Sequence, residues 1–461
     1  MEMGTGKSFC LLDEWQDGVV AGRWKHLLLV APAGSVRNWY TDRGEDQVAE
    51  LRKHLDPQLF RKVTIVAWGE LSKKKTVEKL DRAIAKGGSI AMFINVEALS
   101  TRTTGANELA ALLLNSADTL MAVDESTTVK GDSKRTETVV SLGELAVARR
   151  IMTGLATPKS PLDLYWQYFF LDWRILNQRS PFGFKMRYAI TRKTDFGGKI
   201  ERKIDIVVGY RNEDELAKRI APYTYRVLKQ DCLDLEPKTY EIREVELTAQ
   251  QRKMYSDMKD FCTAQLDEMH HVTATNVVTS LMRLHQIVVG YTVDDETKEI
   301  RDVPSNRIKA ILEVLNDHDR KAIIWTTYTH ELQKIAATLR ETYGPRSVAT
   351  FWGGNRDKRA DEEKLFMSDA KCRFMVATQS AGGRGNNWVN ADLAIYAANS
   401  YDLEHRIQSE DRCHRIGQTR AVTYVDLIAP NTVEERIVKA LRRKIDLATL
   451  ISGENYREWL I

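Results

Sequence analysis

Short apolar runs alternate with amphipathic stretches along the first part of this chain. Five runs have the character of buried strands that end in polar or Gly/Pro residues: 26–31, 63–67, 90–95, 119–123 and 150–153. Helical patterns lie between them, for example at 46–55 and 76–84. Parallel strands need long crossover connections, which are usually helices. The alternation therefore predicts a parallel sheet covered by helices on both faces.

The same alternation resumes after Pro304, with strand-like runs at 322–325, 347–351, 374–377, 393–397 and 422–427. Between them, residues 160–303 lose the alternation and are predicted to be mainly helical, with helices at 248–270 and 276–289. The sequence thus predicts an α/β fold of two lobes joined through a mostly helical insert. The expected boundaries are 1–228 for lobe one, with a helical and basic extension from about 160, 229–303 for the insert and linker, and 304–461 for lobe two with a C-terminal helix.

Composition narrows the class of protein without identifying it. Of 461 residues, 43% are hydrophobic and 29% charged, which is typical of globular proteins and argues against wholesale disorder. The net charge is 68 − 64 = +4, too small to indicate a nucleic-acid partner. Cations cluster in 184–203 around Phe184, Tyr188 and Phe196, which fits either a solvated face or a surface that grips a nucleic-acid backbone.

Five scattered cysteines, the lack of a secretory signal and apolar runs too short for a membrane helix predict a reduced, cytoplasmic protein.

The segment Gly4-Thr5-Gly6-Lys7-Ser8 has the pattern of a phosphate loop. Its glycines let backbone N–H groups surround phosphate oxygens, and a following helix directs its positive end at the anion. Lys7 would contact the β- and γ-phosphates of ATP, and the Ser8 hydroxyl would bind Mg²⁺. Taken alone, this short pattern is only moderately specific.

Two adjacent carboxylates, Asp124 and Glu125, follow a predicted strand 117 residues after Lys7. Asp124 is suited to hold Mg²⁺, and Glu125 to polarise an attacking water. An acidic pair at a surface turn is the plainer alternative, but the upstream phosphate loop favours the nucleotide site.

Near the end of the chain, Arg412 and Arg415 are spaced to share one helical face. Their always-charged guanidiniums can neutralise charge that develops on a γ-phosphate.

With these residues in place, the chain resembles the SNF-type ATPases of helicase superfamily two, the motor class of chromatin remodellers and their bacterial and viral relatives. The matching segments are 2–8 for motif I, 94–99 for the Ib region, 124–127 for motif II, 153–154 for motif III, 233–238 with 246–248, 379–387 for motif V, 411–418 for motif VI and 432–437 for the closing signature. They cover essentially the whole chain in order. The compact architecture resembles a viral or bacterial member of the family, which implies a bacterial cytoplasm or, for a viral protein, the cytoplasm of the host.

The resemblance implies two RecA-like lobes that close around ATP and Mg²⁺, with Gln408 joining Arg412 and Arg415 in lobe two. It also implies an ATP-dependent motor that moves along double-stranded DNA and remodels protein–DNA complexes or branched and forked DNA. The DNA-binding residues that it predicts are Asn95, Thr153, Gln379, Gly382, Gly383, Arg384 and Asn387. The alternatives are a strand-separating helicase, the motor subunit of a restriction or defence complex, and a DNA-binding module whose ATPase has decayed.

The chain departs from the family pattern at several positions. Motif II continues with Ser126 and Thr127 where the family usually has a small residue and His, and motif III has Leu155-Ala156 where Thr-Pro is usual. These changes put in question how strongly motif III couples the nucleotide site to DNA. Arg384 and Trp388 replace apolar residues of motif V, either as extra DNA contacts or as surface substitutions.

The chain also starts unusually close to its phosphate loop. In the family, a buried strand precedes this loop, and a glutamine further upstream recognises adenine. We expect that the functional protein begins several tens of residues earlier, and that this chain alone binds ATP less tightly and selectively. The alternative is that a later segment or a partner chain supplies the strand.

Overall fold

The computed structural model describes residues 1–2, 4–42, 48–101, 105–157, 160–196, 202–268, 274–294, 296–382 and 386–442. The chain forms two compact units: unit one comprises Met1–Tyr188 and Tyr210–Leu233, and unit two comprises Ala189–Gly209 and Asp234–Ile461. The predicted boundaries at 228 and 303 divide the chain more finely and stay a prediction.

Unit one is built on a five-stranded parallel sheet. Its strands are β1 (His26–Ala31), β2 (Thr64–Ala67), β3 (Ile90–Asn95), β4 (Thr119–Asp124) and β5 (Ala148–Met152), in the spatial order β2-β3-β1-β4-β5. Every residue of the central strand β1 is buried. Strands that are covered on both faces have continuous apolar sequences, and this is why these strands were readable from sequence.

The helices of unit one are α1 (Lys7–Val20), α2 (Glu50–His54), α3 (Pro57–Phe60), α4 (Lys73–Lys86), α5 (Ala106–Ser116), α6 (Lys134–Leu145), α7 (Leu164–Leu176), α8 (Pro181–Tyr188), α9 (Glu213–Ile220) and α10 (Lys229–Cys232). Two buried clusters fill the unit. One contains Leu28 and Val30 of β1 with α5 residues, and the other contains Leu27 and Leu29 with Leu12 of α1. The alternating side chains of one strand thus enter different clusters.

Unit two contains a six-stranded parallel sheet. Its strands are β8 (Lys238–Glu244), β11 (Lys321–Thr326), β12 (Val348–Phe351), β13 (Phe374–Thr378), β14 (Ala391–Tyr396) and β15 (Val422–Ile428), in the order β12-β13-β11-β14-β15-β8. Two further two-stranded sheets pair β6 (Ala189–Phe196) with β7 (Arg202–Tyr210) and β9 (Tyr291–Val293) with β10 (Ile300–Asp302). The predicted α/β fold with two parallel sheets is confirmed.

The helices of unit two are α11 (Ala249–Glu268), α12 (Ala274–Val289), α13 (Arg307–Asn316), α14 (Thr329–Tyr343), α15 (Arg359–Ser368), α16 (Gln379–Gly382), α17 (Leu403–Glu410) and α18 (Val433–Arg442). Leu281 and Leu284 of α12 pack in one buried cluster with Leu403 of α17 and Val433 and Ile437 of α18. The helical segment that separates the two predicted lobes therefore shares a core with the C-terminal helix.

Strand β8 is the strand of the two parallel sheets that the sequence analysis did not predict. The strands of the two small sheets, β6, β7, β9 and β10, also lie in the segment that was predicted to be mainly helical. Strand β8 pairs in parallel with β15 over seven residues, from Lys238 opposite Val422 to Glu244 opposite Ile428. Six of its seven residues are exposed, because it lies at the edge of the sheet. An edge strand that buries so little carries no apolar run, so the pattern used for the other strands was absent.

The basic segment at 184–203 does not have its aromatic residues on a surface at the two positions that the structure describes. Phe184 and Tyr188 are almost fully buried, and they pack with Tyr165 of α7 in a core cluster of unit one. The expectation that they interleave surface cations is wrong for these two rings. The side chain of Phe196 lies outside the described residues.

A buried carboxyl in unit two makes stability depend on pH. Burial raises the pKa of Glu331 to about 7, while Arg307 and a hydrogen bond from Thr326 oppose the rise. A raised carboxyl pKa favours folding below the unfolded-state value, and this advantage is lost as pH rises through 7. We expect Glu331→Gln to stabilise the chain relative to the parent by up to about 3 kcal/mol more at pH 8 than at pH 5.

Urea unfolding at the two pH values measures this difference. Glu341→Gln, at an exposed position of the same helix α14, controls for the loss of one negative charge. An equal effect of Glu331→Gln at both pH values would contradict the assignment.

Candidate functional site

The phosphate-loop segment lies at the start of α1 in unit one. Gly4 and Gly6 have φ values of 77° and 91°, in the left-handed region that favours glycine. Gly6 caps α1 without a side-chain hydrogen bond, so the first N–H groups of the helix have no capping side chain. Such N–H groups and the positive end of the helix favour an anion at this position.

Lys7 and Thr5 hold the loop in a compact form. The Lys7 Nζ donates to the Glu2 carbonyl oxygen at 2.8 Å, and the Thr5 hydroxyl donates to the same oxygen at 2.8 Å. Glu2 is itself anchored within unit one, because its N–H donates to the Val227 carbonyl and its carboxylate accepts from the Lys229 N–H at 2.7 Å. The ammonium group therefore lies directly over the loop.

Asp124 ends strand β4 and has two hydrogen-bond donors. The Trp39 Nε1 donates to its Oδ2 at 3.3 Å, and the Glu125 N–H donates to its Oδ1 at 3.0 Å. Burial raises the pKa of Asp124, and the positive charge of Lys7 is the largest opposing effect. The phosphate-loop lysine and the first motif II carboxylate thus belong to the same unit, and the charge of Lys7 favours the ionised form of Asp124.

Glu125 follows in the left-handed region, with φ 48°. This backbone conformation costs a residue with a side chain on the order of 1–3 kcal/mol and is found where the surroundings fix it. The Thr153 hydroxyl lies 3.4 Å from Glu125 Oε2 and also contacts Leu155. Thr153, which was predicted to bind DNA, is therefore a neighbour of the predicted water-positioning carboxylate.

The two motifs that depart from the family pattern are bridged by a buried side chain. The Ser126 hydroxyl donates to Gln167 Oε1 at 2.6 Å, and the Gln167 amide donates to the carbonyl oxygens of Ala156 and Asp163, both at 2.8 Å. Both Ser126 and Gln167 are almost fully buried. Ser126 is thus part of a fixed connection between the segments after β4 and β5.

Asn95, predicted to contact DNA, ends strand β3 opposite Ala31 of β1. Its amide lies 3.5 Å from Glu97 Oε2, and that oxygen also accepts from the Ala33 N–H at 3.0 Å. Asn95 and Asp124 therefore lie on the same carboxyl edge of the sheet, two strands apart.

The hydrogen-bond donors and oxygen ligands of unit one fit a nucleoside triphosphate with Mg²⁺. The glycine loop is open, since a Cβ at Gly6 would have no atom within 4 Å, and the adjacent ammonium and N–H groups suit phosphate oxygens. The Ser8 hydroxyl and the Asp124 carboxylate are the oxygen ligands that Mg²⁺ prefers. Among the described residues, no group of three or more His, Cys, Asp or Glu side chains is arranged to hold a metal ion by itself.

In unit two, the two motif VI arginines converge on one backbone oxygen. Arg412 donates to the Asn386 carbonyl at 2.7 Å and Arg415 donates to it at 3.1 Å. They do so from the turn that follows α17, because this helix ends at Glu410. The expectation that they share a helical face is wrong, since the turn brings them together instead. We call residues 411–416 the arginine turn.

The other motif VI contacts distinguish the two arginines. Arg412 is buried and its Nε also donates to the Gln408 carbonyl at 2.9 Å, whereas Arg415 is half-buried. Gln408 is itself buried, with its amide on Glu404 Oε1 at 2.9 Å. Arg415 is therefore the more accessible of the two guanidiniums.

The motif V residues have mixed environments. Gln379 is buried and accepts from the Ser400 N–H at 2.7 Å, and Asn387 is half-buried. A Cβ at Gly382 would come within 2.9 Å of the rings of Trp325 and Trp388, so glycine is needed there for packing. Gly383 and Arg384 lie outside the described residues.

Trp388 is a core residue. It is fully buried and stacked on Trp325 at 5.5 Å between ring centroids, and its Nε1 donates to Glu363 at 3.0 Å. Both expectations for this residue, an extra DNA contact and a surface substitution, are wrong, because the indole fills space between the sheet and α15.

Sequence reasoning missed Trp39 and Gln167 in unit one, and did not assign a role to Asn386 in unit two. A signal existed for Trp39, because a buried indole N–H generally finds an acceptor and this one follows a predicted strand by eight residues. Asn386 acts through its backbone carbonyl, so its residue type carried no signal.

Parallel sheets flanked by helices, with a phosphate loop and an acidic strand end in the first of them, define a nucleotide-binding protein of the phosphate-loop class. Residues 2–292 match the SNF2-related domain, and residues 306–417 match the Helicase conserved C-terminal domain. The chain belongs to the SNF2-related family, and both the resemblance seen in the sequence and the RecA-like fold of its two lobes are confirmed.

Curated relatives are longer proteins. An uncharacterized ATP-dependent helicase of Mycoplasma pneumoniae is 24% identical over 100% of this chain and 40% of its own length. A second from Mycoplasma genitalium is 24% identical over 61% of this chain and 27% of its own length. The chain thus spans less than half the length of these relatives.

Among solved structures, the Sulfolobus solfataricus SWI2/SNF2 ATPase core in complex with dsDNA is 20% identical, with 99% of this chain and 90% of that chain covered and a TM-score of 0.39. Within the part of the chain that the structure describes, no helix is both long and apolar enough to cross a membrane.

Proposed function

We propose that this chain is an ATP-hydrolysing motor that is stimulated by DNA and moves along double-stranded DNA. The observation that carries the proposal is the combination, within unit one, of a glycine loop at the start of α1 and the Asp124 carboxylate at the end of β4. Membership of the SNF2-related family supports the same chemistry.

In this mechanism, unit one binds the nucleotide. The glycine loop, Lys7 and the N–H groups that begin α1 bind and orient the phosphates, and Ser8 and Asp124 hold Mg²⁺. Mg²⁺ neutralises the negative charge of the triphosphate when it is bound. Glu125 orients the attacking water, and its contact with Thr153 fixes the direction of its carboxylate.

Unit two supplies the positive charge that stabilises the transition state. We assign this role to Arg415, because it is the more accessible guanidinium and is already oriented by the Asn386 carbonyl. Arg412 is buried and donates a hydrogen bond to the Gln408 carbonyl, so we assign both residues to positioning the arginine turn. Charge that develops on the γ-phosphate is then met by a preorganised cation, which is the main source of catalysis in phosphoryl transfer.

DNA would be held mainly through its phosphates, because a motor must bind every sequence that it crosses. The proposed DNA-binding residues are Asn95, Thr153, Gln379, Gly382, Gly383, Arg384 and Asn387. Within this set, Gln379 and Gly382 are buried, so their proposed role is to shape the segment that carries the contacting residues. Motion along the duplex would remodel protein–DNA complexes or branched and forked DNA.

The alternatives are a strand-separating helicase, the motor of a restriction or defence complex, and a module with a decayed ATPase. The intact set of Lys7, Asp124, Glu125, Arg412 and Arg415 argues against decay. All five cysteines are free, which supports the proposed reduced, cytoplasmic location.

ATP turnover measured in parallel without DNA and with single-stranded, double-stranded and forked DNA tests the proposal. We expect double-stranded DNA to stimulate turnover regardless of its sequence. The DNA concentration for half-maximal stimulation should rise steeply with salt, because neutralised phosphates release counterions.

Stimulation by single strands alone, together with unwinding of a labelled duplex, would favour the helicase. A strong preference for one sequence, or half-maximal stimulation that is insensitive to salt, would contradict the motor. An absence of ATP turnover under all four conditions would favour the decayed module.

A further inference from the structure

The chain enters unit two immediately beside the arginine turn. Unit one ends at Leu233, and unit two resumes at Asp234. Two residues later, the Glu236 carbonyl oxygen contacts His414 Nε2 at 2.8 Å, and then the Lys238 Nζ contacts Glu410 Oε2 at 3.0 Å. Residues 236 and 238 therefore contact His414 and Glu410, which lie on either side of Arg412 in the sequence.

Glu410 is the centre of these contacts. Its Oε2 accepts from Lys238 and from the Tyr240 hydroxyl at 2.8 Å, and its Oε1 accepts from Arg406 Nε at 2.8 Å. Its carbonyl oxygen accepts from the Tyr424 hydroxyl at 2.8 Å. Burial alone would raise the pKa of this carboxyl, but Lys238 and Arg406 together outweigh burial and lower it to about 2.

The edge strand β8 holds both donors in register with β15. Tyr240 pairs with Tyr424, and their rings stack at 5.4 Å between centroids. The Lys238 Nζ lies 5.6 Å from the centre of the Tyr424 ring. The side chains of Lys238 and Tyr240 point to the same face of the strand because they are two residues apart. A largely exposed strand therefore pairs two of its polar groups with one carboxylate.

We propose that Lys238, Tyr240 and Glu410 form a latch that positions Arg412 and Arg415 for ATP hydrolysis. Helix α17 ends at Glu410, so this residue sets the direction in which the chain leaves the helix. On the other side, the Asn386 carbonyl holds both guanidiniums. The latch and this carbonyl fix the arginine turn from two directions.

The latch also ties the chain crossover to the turn. A displacement of residues 234–238 moves Glu410 through its ion pair with Lys238. It also moves His414 through the hydrogen bond with the Glu236 carbonyl. Since transition-state stabilisation by a cation depends on its position within about 1 Å, a small displacement has a large effect on the rate. Lys238, Tyr240 and Glu410 are positioning residues in this proposal, which rests on the proposed function.

The test compares Lys238→Met, Lys238→Arg and Tyr240→Phe, with Arg243→Met as the matched control. Arg243 lies on the same strand and has an ion pair of 2.7 Å to Glu313, away from the arginine turn. In saturating double-stranded DNA, we expect Lys238→Met to lower kcat for ATP by about 10–10²-fold while KM stays within about threefold. Lys238→Arg should recover most of the loss, Tyr240→Phe should show a smaller decrease, and Arg243→Met should match the parent.

Hydrogen–deuterium exchange provides a readout that does not need turnover. In Lys238→Met, amides of residues 411–416 should exchange faster than in the parent, whereas Arg243→Met should leave them unchanged. If the parent chain shows no ATP turnover, the proposed function has failed. The exchange measurement still tests the latch in that case.

The proposal is overturned if Lys238→Met and Tyr240→Phe both keep parental kcat and parental exchange at 411–416 while Arg415→Ala abolishes turnover. If Lys238→Met does not fold, Tyr240→Phe decides, because it removes one hydroxyl and keeps the ring stack on Tyr424.

Discussion

Arg415→Ala is expected to lower ATP turnover by about 10³-fold while nucleotide binding to the chain is retained. The guanidinium donates to the Asn386 carbonyl from a half-buried position, whereas the neighbouring Arg412 is buried. Its loss therefore acts on the transition state more than on the fold. Single-turnover hydrolysis and equilibrium binding of a fluorescent ATP analogue separate the two effects.

Arg420→Ala is the matched control, because Arg420 lies five residues further on and its exposed guanidinium forms an ion pair of 3.6 Å with Asp392. Arg412→Ala should lower both turnover and thermal stability, since this buried side chain joins Gln408 to Asn386. If Arg415→Ala lost DNA binding but kept basal hydrolysis, the assignment of Arg415 to the nucleotide would be wrong.

Glu125→Gln is expected to stop turnover and leave nucleotide binding intact, with a loss of about 10²–10⁴-fold. The substitution keeps the size of the side chain and an oxygen for the Thr153 hydroxyl, but it removes the negative charge that polarises water. Lys7→Ala should have the opposite signature, with nucleotide binding strongly weakened, because it removes the ammonium group that is bonded to the loop segment at the Glu2 carbonyl.

Both variants are measured by nucleotide binding and by single-turnover hydrolysis beside Glu137→Gln, an exposed glutamate of α6. Near-normal turnover in Glu125→Gln would show that another residue positions the water, and unchanged nucleotide affinity in Lys7→Ala would remove the phosphate loop from the site.

Most strands of the two parallel sheets were predictable because they bury apolar runs. Strand β5 is an exception among the predicted strands, since its residues are half-buried or exposed. The ten predicted strands all exist within two residues of their expected ends, for example 90–95 and β3 at Ile90–Asn95. Strand β8 was not predictable in this way, since it is stabilised by pairing with β15 and by polar contacts with Glu410 rather than by burial of its own side chains.

The residues of the candidate site also differ in how well they could be predicted from the sequence. Lys7, Asp124, Glu125 and Arg415 could be predicted because their side-chain types and the spacing of their motifs indicate their proposed roles. What holds them was hidden, since Trp39 supports Asp124 from a segment 85 residues away and the Asn386 contact is made by a backbone carbonyl. Contacts between residues that are far apart in the chain, and contacts made by backbone carbonyls, produce no recognisable pattern in a sequence.

The left-handed backbone of Glu125 has a consequence for anyone who engineers this chain for thermal robustness. Glycine, and to a lesser degree asparagine, adopts φ near 48° with less strain, so a library ranked by melting temperature alone will enrich these residues at position 125. Each variant selected in this way lacks the Glu125 carboxylate and has less backbone strain at position 125. Selection for heat resistance and selection for motor activity will therefore choose different residues at this one position.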